Sequence, residues 1–168
     1  MLLRTPLLSL LFLTMLGGCS PSPLKLSAPP GQYQASDLGT PSETATIALK
    51  MSITAFDKDA QWPPAAYVGF YQGTNRNKSV QFMIVRNKQT DNYMVAGYRV
   101  IEEGQQTKIV SLENIELKKP VDISMSFSKG TVTLSFNHGQ PIEVHTNLTV
   151  VTPYASVSSG TAEFDNRT

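Results

Sequence analysis

The chain has 168 residues, and its 14 Lys and Arg against 13 Asp and Glu give a formal net charge of +1. This balance argues against nucleic acid as a partner, because a basic face supplies most of the affinity for a phosphate backbone. It also argues against membrane binding through a basic patch. Since Cys19 is the only cysteine, no disulfide can form within the chain, and a packed core must stabilise it.

Residues 1–18 have the pattern of a secretory leader. Arg4 supplies a basic start, Leu7–Leu16 is an apolar run, and Gly17 and Gly18 are small residues at the expected cleavage point. The apolar run is too short to span a bilayer, which takes about 20 helical residues. We therefore expect a signal peptide over residues 1–18.

The string Leu16-Gly17-Gly18-Cys19 resembles the lipobox of bacterial lipoproteins. The resemblance implies cleavage between Gly18 and Cys19, with a diacylglycerol on the Cys19 thiol and a further acyl chain, such as palmitate, on its amine. Several chains anchor firmly, because each buried CH₂ contributes about 0.8 kcal/mol. Ser20 stands where an Asp retains such proteins at the inner membrane, so the resemblance implies an envelope protein, with the outer membrane favoured. An ordinary signal peptide with an incidental cysteine is the alternative.

Residues 20–43 are rich in Pro and Ser and poor in apolar side chains, which is typical of a tether. An alternative is that Leu24, Leu26 and Tyr33 form a first edge strand. We expect residues 19–43 to comprise the lipidated cysteine and its tether, and residues 44–168 to form one domain.

Alternation of apolar and polar residues predicts strands from Thr44 onward. Every second residue is apolar in Thr44–Ala55 and in Val121–Ser128, which places one face of each strand on a core. Lys129-Gly130 predicts a two-residue hairpin turn into Thr131–Phe136, because Gly accepts a positive φ. Segments rich in β-branched and aromatic residues predict further strands at Tyr67–Gln72, Val80–Arg86, Tyr93–Glu102, Thr107–Leu112, Ile142–Val144, Tyr154–Val157 and Thr161–Asp165.

About ten short strands without a helical pattern predict an all-β fold, namely a two-sheet antiparallel β-sandwich. A lipocalin-like closed β-barrel is the alternative. Residues 119–144, KPVDISMSFSKGTVTLSFNHGQPIEV, resemble the strand meander of concanavalin A-like lectin/glucanase and laminin-G-like jelly rolls. The ending SSGTAEFDN, residues 158–166, resembles their last strand. This resemblance implies a jelly roll, a fold shared by lectins, sugar-binding modules, glycosidases and adhesion domains.

The sequence offers no catalytic residue. Glycosidases of this fold carry Glu-x-Asp-x-(x)-Glu on one strand, and the nearest string here, Glu113–Glu116, places its two carboxylates on opposite faces of a strand. No Gly-x-Ser-x-Gly elbow is present, and His138 and His145 are too few for a zinc site. An enzyme with an unrecognised site is a remaining alternative.

Four oxygen-bearing residues, Asp57, Asp59, Asp165 and Asn166, are candidate calcium ligands. In the jelly rolls that this chain resembles, early and terminal strands often lie side by side, and Ca²⁺ takes six to eight oxygens. The alternative is a polar turn and a polar C-terminus, with no cofactor.

Trp62, Tyr67 and Tyr71 are candidate ligand-binding rings, because sugars stack on Trp and Tyr. Tyr67 and Tyr71 share one face of a strand, although core packing is the alternative for each ring. We expect a non-catalytic module that binds a ligand, with glycan preferred. A structural or assembly lipoprotein that binds another envelope protein is the alternative.

Overall fold

The computed structural model describes residues 22–59 and 61–166, which form an all-β fold without a helix. Leu16, Cys19 and the expected cleavage point lie outside these residues. Within them, no helix is long and apolar enough to cross a membrane. The strands are β1 (Leu24–Asp37), β2 (Thr44–Ala55), β3 (Ala65–Gln72), β4 (Asn75–Val85), β5 (Tyr93–Glu102), β6 (Gln105–Glu116), β7 (Val121–Ser128), β8 (Thr131–Phe136), β9 (Ile142–His145) and β10 (Val151–Asn166).

Hydrogen bonds join the strands into one curled antiparallel sheet, in the order β6-β5-β4-β3-β10-β2-β7-β8-β9, with β1 along β10. The first part of β10, Val151–Ser158, pairs with β3, and its last part, Thr161–Asn166, pairs with β2. The sheet therefore divides at β10 into two layers. We call β6-β5-β4-β3 with the first part of β10 the front sheet, and β2-β7-β8-β9 with its last part the back sheet.

The two sheets pack face to face, which confirms the β-sandwich. The ring of Phe70 in β3 lies 6.3 Å from that of Phe127 in β7, and the rings of Phe82 in β4 and Phe136 in β8 stack at 5.4 Å. Strands β6 and β9 end the hydrogen-bonded path without pairing to each other. The sheet is therefore not a closed barrel, and the lipocalin-like alternative is wrong.

The core consists of alternate residues from both sheets, as the sequence pattern predicts. Leu49, Met51 and Ile53 of β2 are at most 1% exposed, and the apolar positions of β7 are equally buried. Burial of each such side chain contributes about 1.5–3 kcal/mol. The predicted hairpin turn between β7 and β8 is also confirmed, because Lys129 and Gly130 have φ values of 48° and 76°.

The largest difference between prediction and structure lies in residues 19–43, which we expected to be a tether. Leu24–Asp37 is the strand β1, paired with β10 along both sheets, so the alternative of a first edge strand is confirmed. Leu26 and Ala28 are 4% and 5% exposed and belong to the core. The sandwich thus begins at Leu24, before the boundary that we expected at Thr44.

Strand β10 is continuous where the sequence predicts two short strands. Its middle residue Ser159 has a φ of 54°, and the pairing of β1 with β10 shifts register between Ala28 and Tyr33 at the same level. Both irregularities lie where the two strands pass from the front sheet to the back sheet. A positive φ bends the chain without ending its hydrogen bonding to β1.

Gly69 in β3 allows the close approach of β3 and β4. A Cβ there would lie 2.1 Å from the carbonyl oxygen of Val80, a backbone atom that cannot move without displacing β4. We expect Gly69→Ala to reduce the free energy of unfolding by at least about 2 kcal/mol, measured by chemical denaturation. Gly73→Ala, where no atom lies within 4 Å and only the φ of +50° is unfavourable, should cost less. Equal losses for the two variants would contradict this account.

Candidate functional site

The outer face of the front sheet carries a cluster of tyrosines and arginines. In β3, Val68 and Phe70 belong to the core, so Tyr67 and Tyr71 lie on the opposite, outer face. The pairing of β10 with β3 places Tyr154 on that face as well. We define the tyrosine–arginine face by Tyr33, Asp37, Tyr67, Tyr71, Arg76, Ser79, Gln81, Arg99, Tyr154 and Ser156.

Asp37 organises one half of this face. Its Oδ1 accepts hydrogen bonds from the Tyr71 hydroxyl at 2.9 Å and from Nη2 of Arg76 at 3.0 Å. The Arg76 guanidinium lies over two rings, 5.2 Å from the centre of Tyr71 and 5.7 Å from that of Tyr154. Those rings meet edge to face at 5.2 Å. Asp37, at the end of β1, thereby ties this edge strand to β3 and β4.

A second network crosses the middle of the sheet. Nε of Arg99 in β5 donates to Oε1 of Gln81 in β4 at 2.7 Å, and Nε2 of Gln81 donates to the Ser79 hydroxyl at 2.7 Å. The guanidinium carbon of Arg99 lies 4.2 Å from the centre of the Tyr67 ring, within cation–π range. Gln81 and Ser79 are 5% and 1% exposed, so this network is fixed before any ligand arrives.

Burial and hydrogen bonding shift the pKa of three groups on this face, namely Tyr67, Tyr154 and Arg76. Burial raises the pKa of Tyr67, although the nearby Arg99 charge acts to lower it. Burial also raises the pKa of Tyr154, against a hydrogen bond with Ser79 that lowers it. For Arg76, burial lowers the pKa, but the hydrogen bonds with Tyr71 and Asp37 outweigh it and the pKa is raised. The hydroxyls of Tyr67 and Tyr154 therefore remain hydrogen-bond donors at neutral pH.

Ser156 is an unsatisfied polar group under this face. It is paired with Tyr67 across β10 and β3, is 0% exposed, and its Oγ has no hydrogen-bond partner among the described residues. A buried hydroxyl without a partner costs about 1–3 kcal/mol.

Of the three predicted rings, the structure brings Tyr67 and Tyr71 to the same face. Tyr71 is 4% exposed and forms part of its floor, and Tyr67 lies beneath Arg99. Trp62 lies apart in the loop before β3, 58% exposed, where a Cβ on Gly31 would approach its indole to 3.1 Å. Gly31 is two residues from Tyr33, which is 52% exposed, so Trp62 lies near the β1 end of the face.

The polar members of the face are not among the candidate residues predicted from the sequence. Ser79 and Gln81 occupy alternate positions between the apolar Val80, Phe82 and Ile84 of β4. That alternation marks a strand with a polar outer face and was available from the sequence. The positions of Asp37 and Arg99 beside the tyrosines depend on strand pairing, for which the chain offers no local signal.

The candidate calcium ligands do not form one site. Asp165 pairs with Lys50 in β2. Asp57 follows the C-terminal end of β2, seven residues after Lys50. At about 3.3 Å per residue, the two carboxylates are separated by roughly 20 Å. Asp57 Oδ1 instead accepts a hydrogen bond from the backbone N–H of Asp59 at 2.9 Å. Within residues 22–59 and 61–166, no group of three or more His, Cys, Asp or Glu side chains is arranged to hold a metal ion.

The two histidines lie beside different polar groups of the back sheet. Nε2 of His138 lies 3.6 Å from Asp122, and Nδ1 of His145 lies 3.2 Å from the Thr131 hydroxyl. Glu143 and His145 are exposed on β9, as the alternation predicts. These groups belong to the back sheet, remote from the tyrosine–arginine face.

A crevice of about 420 Å³ opens at one end of the sandwich. Its walls include the core residues Val80, Val100 and Leu148, together with Lys78 and Glu102. It is therefore an opening between the two layers and is separate from the outer face of the front sheet.

Comparison with known proteins shows the fold. No protein-family model and no curated protein matches the chain. The chain is similar to the carbohydrate-binding module CBM66 from Bacillus subtilis, with a TM-score of 0.61, 12% identity, and coverage of 80% of this chain and 79% of that chain. It is also similar to a tetrameric galectin from the ball sponge Cinachyrella sp., with a TM-score of 0.53, 13% identity, and coverage of 80% and 96%. The expected likeness to lectin-type jelly rolls is thereby confirmed for the fold.

Asp37 should contribute to stability because it binds two groups on neighbouring strands. We expect Asp37→Asn to reduce the free energy of unfolding by about 1 kcal/mol, measured by chemical denaturation at neutral pH. Glu163→Gln is the matched control, since Glu163 forms a single exposed ion pair with Lys25, 3.5 Å away, between β10 and β1. That variant should change stability much less. A larger effect at Glu163 would contradict the role assigned to Asp37.

Proposed function

We propose that the protein is a lipid-anchored envelope lipoprotein whose sandwich is a non-catalytic module that binds glycan at the tyrosine–arginine face. The observation that carries the proposal is the composition of this face, where aromatic rings alternate with polar groups already fixed by hydrogen bonds. Sugar-binding sites need both, because a sugar has apolar ring faces and many hydroxyls. The similar solved structures, a carbohydrate-binding module and a galectin, support this choice by analogy of fold.

The rings of the tyrosine–arginine face, and Trp62 in the neighbouring loop, differ in how far they are exposed. Tyr71 and Tyr154 are 4% and 2% exposed, so they form a rigid floor. Tyr33 and Trp62, at the β1 end, are 52% and 58% exposed and are the rings available for stacking. Gln81 holds Arg99 in the middle of the sheet, where its N–H groups can donate to sugar oxygens. Such preorganised groups lose little entropy on binding.

The anchor is proposed from the sequence. The string Leu16-Gly17-Gly18-Cys19 supports acylation of Cys19 after removal of residues 1–18, and Ser20 supports outer-membrane sorting. Only residues 20–23 would then separate the lipid from β1. A glycan bound to the face would therefore lie close to the membrane surface, without the long tether expected from the composition.

Assembly with another envelope protein is the second candidate function. Strand β6 ends the front sheet, and its Ile109 is 54% exposed on this unpaired edge. An edge strand of 12 residues, such as β6, can pair with a strand of a partner protein. Co-purification of an envelope protein, without retention on any glycan, would favour this candidate.

The exposed rings can be tested directly, because their removal should leave the fold intact. We expect Tyr33→Ala and Trp62→Ala each to weaken glycan retention by at least about fivefold, the effect of roughly 1 kcal/mol of lost stacking. The measurement is a glycan array followed by titration, with purified full-length protein in detergent. Tyr93→Ala is the matched control, since Tyr93 lies on the same sheet six residues along β5 from Arg99. Unchanged binding by both ring variants would contradict the assigned site.

The anchor has its own test. We expect Cys19→Ser to lose metabolic labelling with fatty acid and to accumulate with its leader attached, because a serine hydroxyl is a much weaker nucleophile than a thiolate and would not form the thioether to the diacylglyceryl group. Labelling followed by mass spectrometry of the N-terminus gives the readout. Normal processing and membrane fractionation of this variant would refute the anchor.

A further inference from the structure

The two arginines of the tyrosine–arginine face differ in their counter-charges. Arg76 is paired with Asp37, with an N–O distance of 3.0 Å. Arg99 has no carboxylate within 4.0 Å among residues 22–59 and 61–166, and its contacts there are with the neutral Gln81 and Tyr67. One face therefore holds a neutralised cation and, on a neighbouring strand, an uncompensated one.

Arg99 is also held in place. It is half-buried in β5, opposite Gln81 in β4 and Ile109 in β6. Gln81 accepts from Nε, and the Tyr67 ring supports the plane of the guanidinium. A guanidinium has five N–H donors, and the hydrogen bonds with Gln81 and Tyr67 use part of this set. The donors that remain on the terminal nitrogens suit a carboxylate, sulfate or phosphate oxygen pair.

Stability alone does not account for this arrangement. Removing a cation from water without an opposite charge is unfavourable, and a tyrosine ring or an amide compensates only part of that cost. An anionic group on a ligand would supply the missing charge.

We infer that the glycan is acidic, and that Arg99 binds a carboxylate or sulfate group carried by one of its sugar units. This inference rests on the proposed glycan-binding function and specifies its ligand class. Tyr67 and Gln81 act as positioning residues, because they hold Arg99 in a fixed orientation. The exposed rings at the β1 end would then contact neighbouring sugars of the same chain.

Two matched pairs of polysaccharides distinguish the charge from the sugar. Polygalacturonate and its fully methyl-esterified form differ in carboxylate charge, and a carrageenan and its chemically desulfated form differ in sulfate. Affinity electrophoresis of purified full-length protein in detergent should show at least tenfold tighter binding to the acidic member of one pair, as for a hydrogen bond between charged groups. The pair that shows the preference identifies the anionic group. The preference should decrease with added salt.

Two arginine variants test whether Arg99 is responsible. Arg99→Gln should lose the acidic preference, so that the ratio of its affinities for the acidic and the neutral member of the pair falls about tenfold or more. Arg76→Gln, the matched control, should keep the preference, because Asp37 already neutralises Arg76. Arg99→Lys should retain part of the preference, since the charge remains and the planar fork is lost.

The outcomes separate the inference from the function on which it rests. Equal binding to acidic and neutral members of both pairs would overturn the acidic ligand and leave glycan binding intact. Retention of the protein only by neutral glycans on a broad array would likewise overturn the acidic ligand and leave glycan binding intact. Loss of the preference in Arg76→Gln but not in Arg99→Gln would overturn the role of Arg99. No retention on any glycan, acidic or neutral, would overturn both the inference and the proposed function.

Discussion

The shared strand β10 is the constraint on which the structure depends. One of its edges pairs with β1 along both sheets, and the other pairs first with β3 and then with β2. The front and back sheets are thus two parts of one hydrogen-bonded system that bends near Ser159. Because β10 sets where each layer begins, it also sets which residues of β3 and β4 lie on the outer face of the front sheet.

The tyrosine–arginine face follows from that arrangement. Residues from β1, β3, β4, β5 and β10 contribute to it, and their side chains are fixed by two hydrogen-bonded networks rather than by burial in the core. Asp37 connects the edge strand to the floor of the face, and Gln81 connects Arg99 to Ser79. A rigid floor with exposed rings at one end and a fixed cation at the centre is suited to an extended polar ligand.

Much of the fold could be predicted because core contacts repeat locally. In β2, β7 and β8, the alternation of apolar residues is sufficient to identify strand and buried face, and Lys129-Gly130 identifies the turn. Strand β1 is harder to predict from the sequence, since Pro29-Pro30 and its polar residues are typical of a tether. Its stability as a strand comes from β10, more than a hundred residues later, and this pairing leaves no local trace in the sequence.

The candidate site was predictable only in part, for the same reason. Tyr67 and Tyr71 share a face because they are four residues apart on one strand, which spacing alone establishes. Among the described residues no carboxylate lies near Arg99, and this depends on which strands surround β5. The spacing of residues along the sequence cannot predict it. The separation of the candidate calcium ligands has a related cause, because antiparallel pairing places Asp165 beside Lys50, away from Asp57 along β2.

The most direct measurement of the central claim is an NMR titration of the isotope-labelled protein with a retained acidic oligosaccharide. We expect shift changes concentrated at Tyr33, Tyr67, Gln81 and Arg99, with little change on the back sheet. Changes confined to the β6 edge or to the crevice at the end of the sandwich would contradict the account.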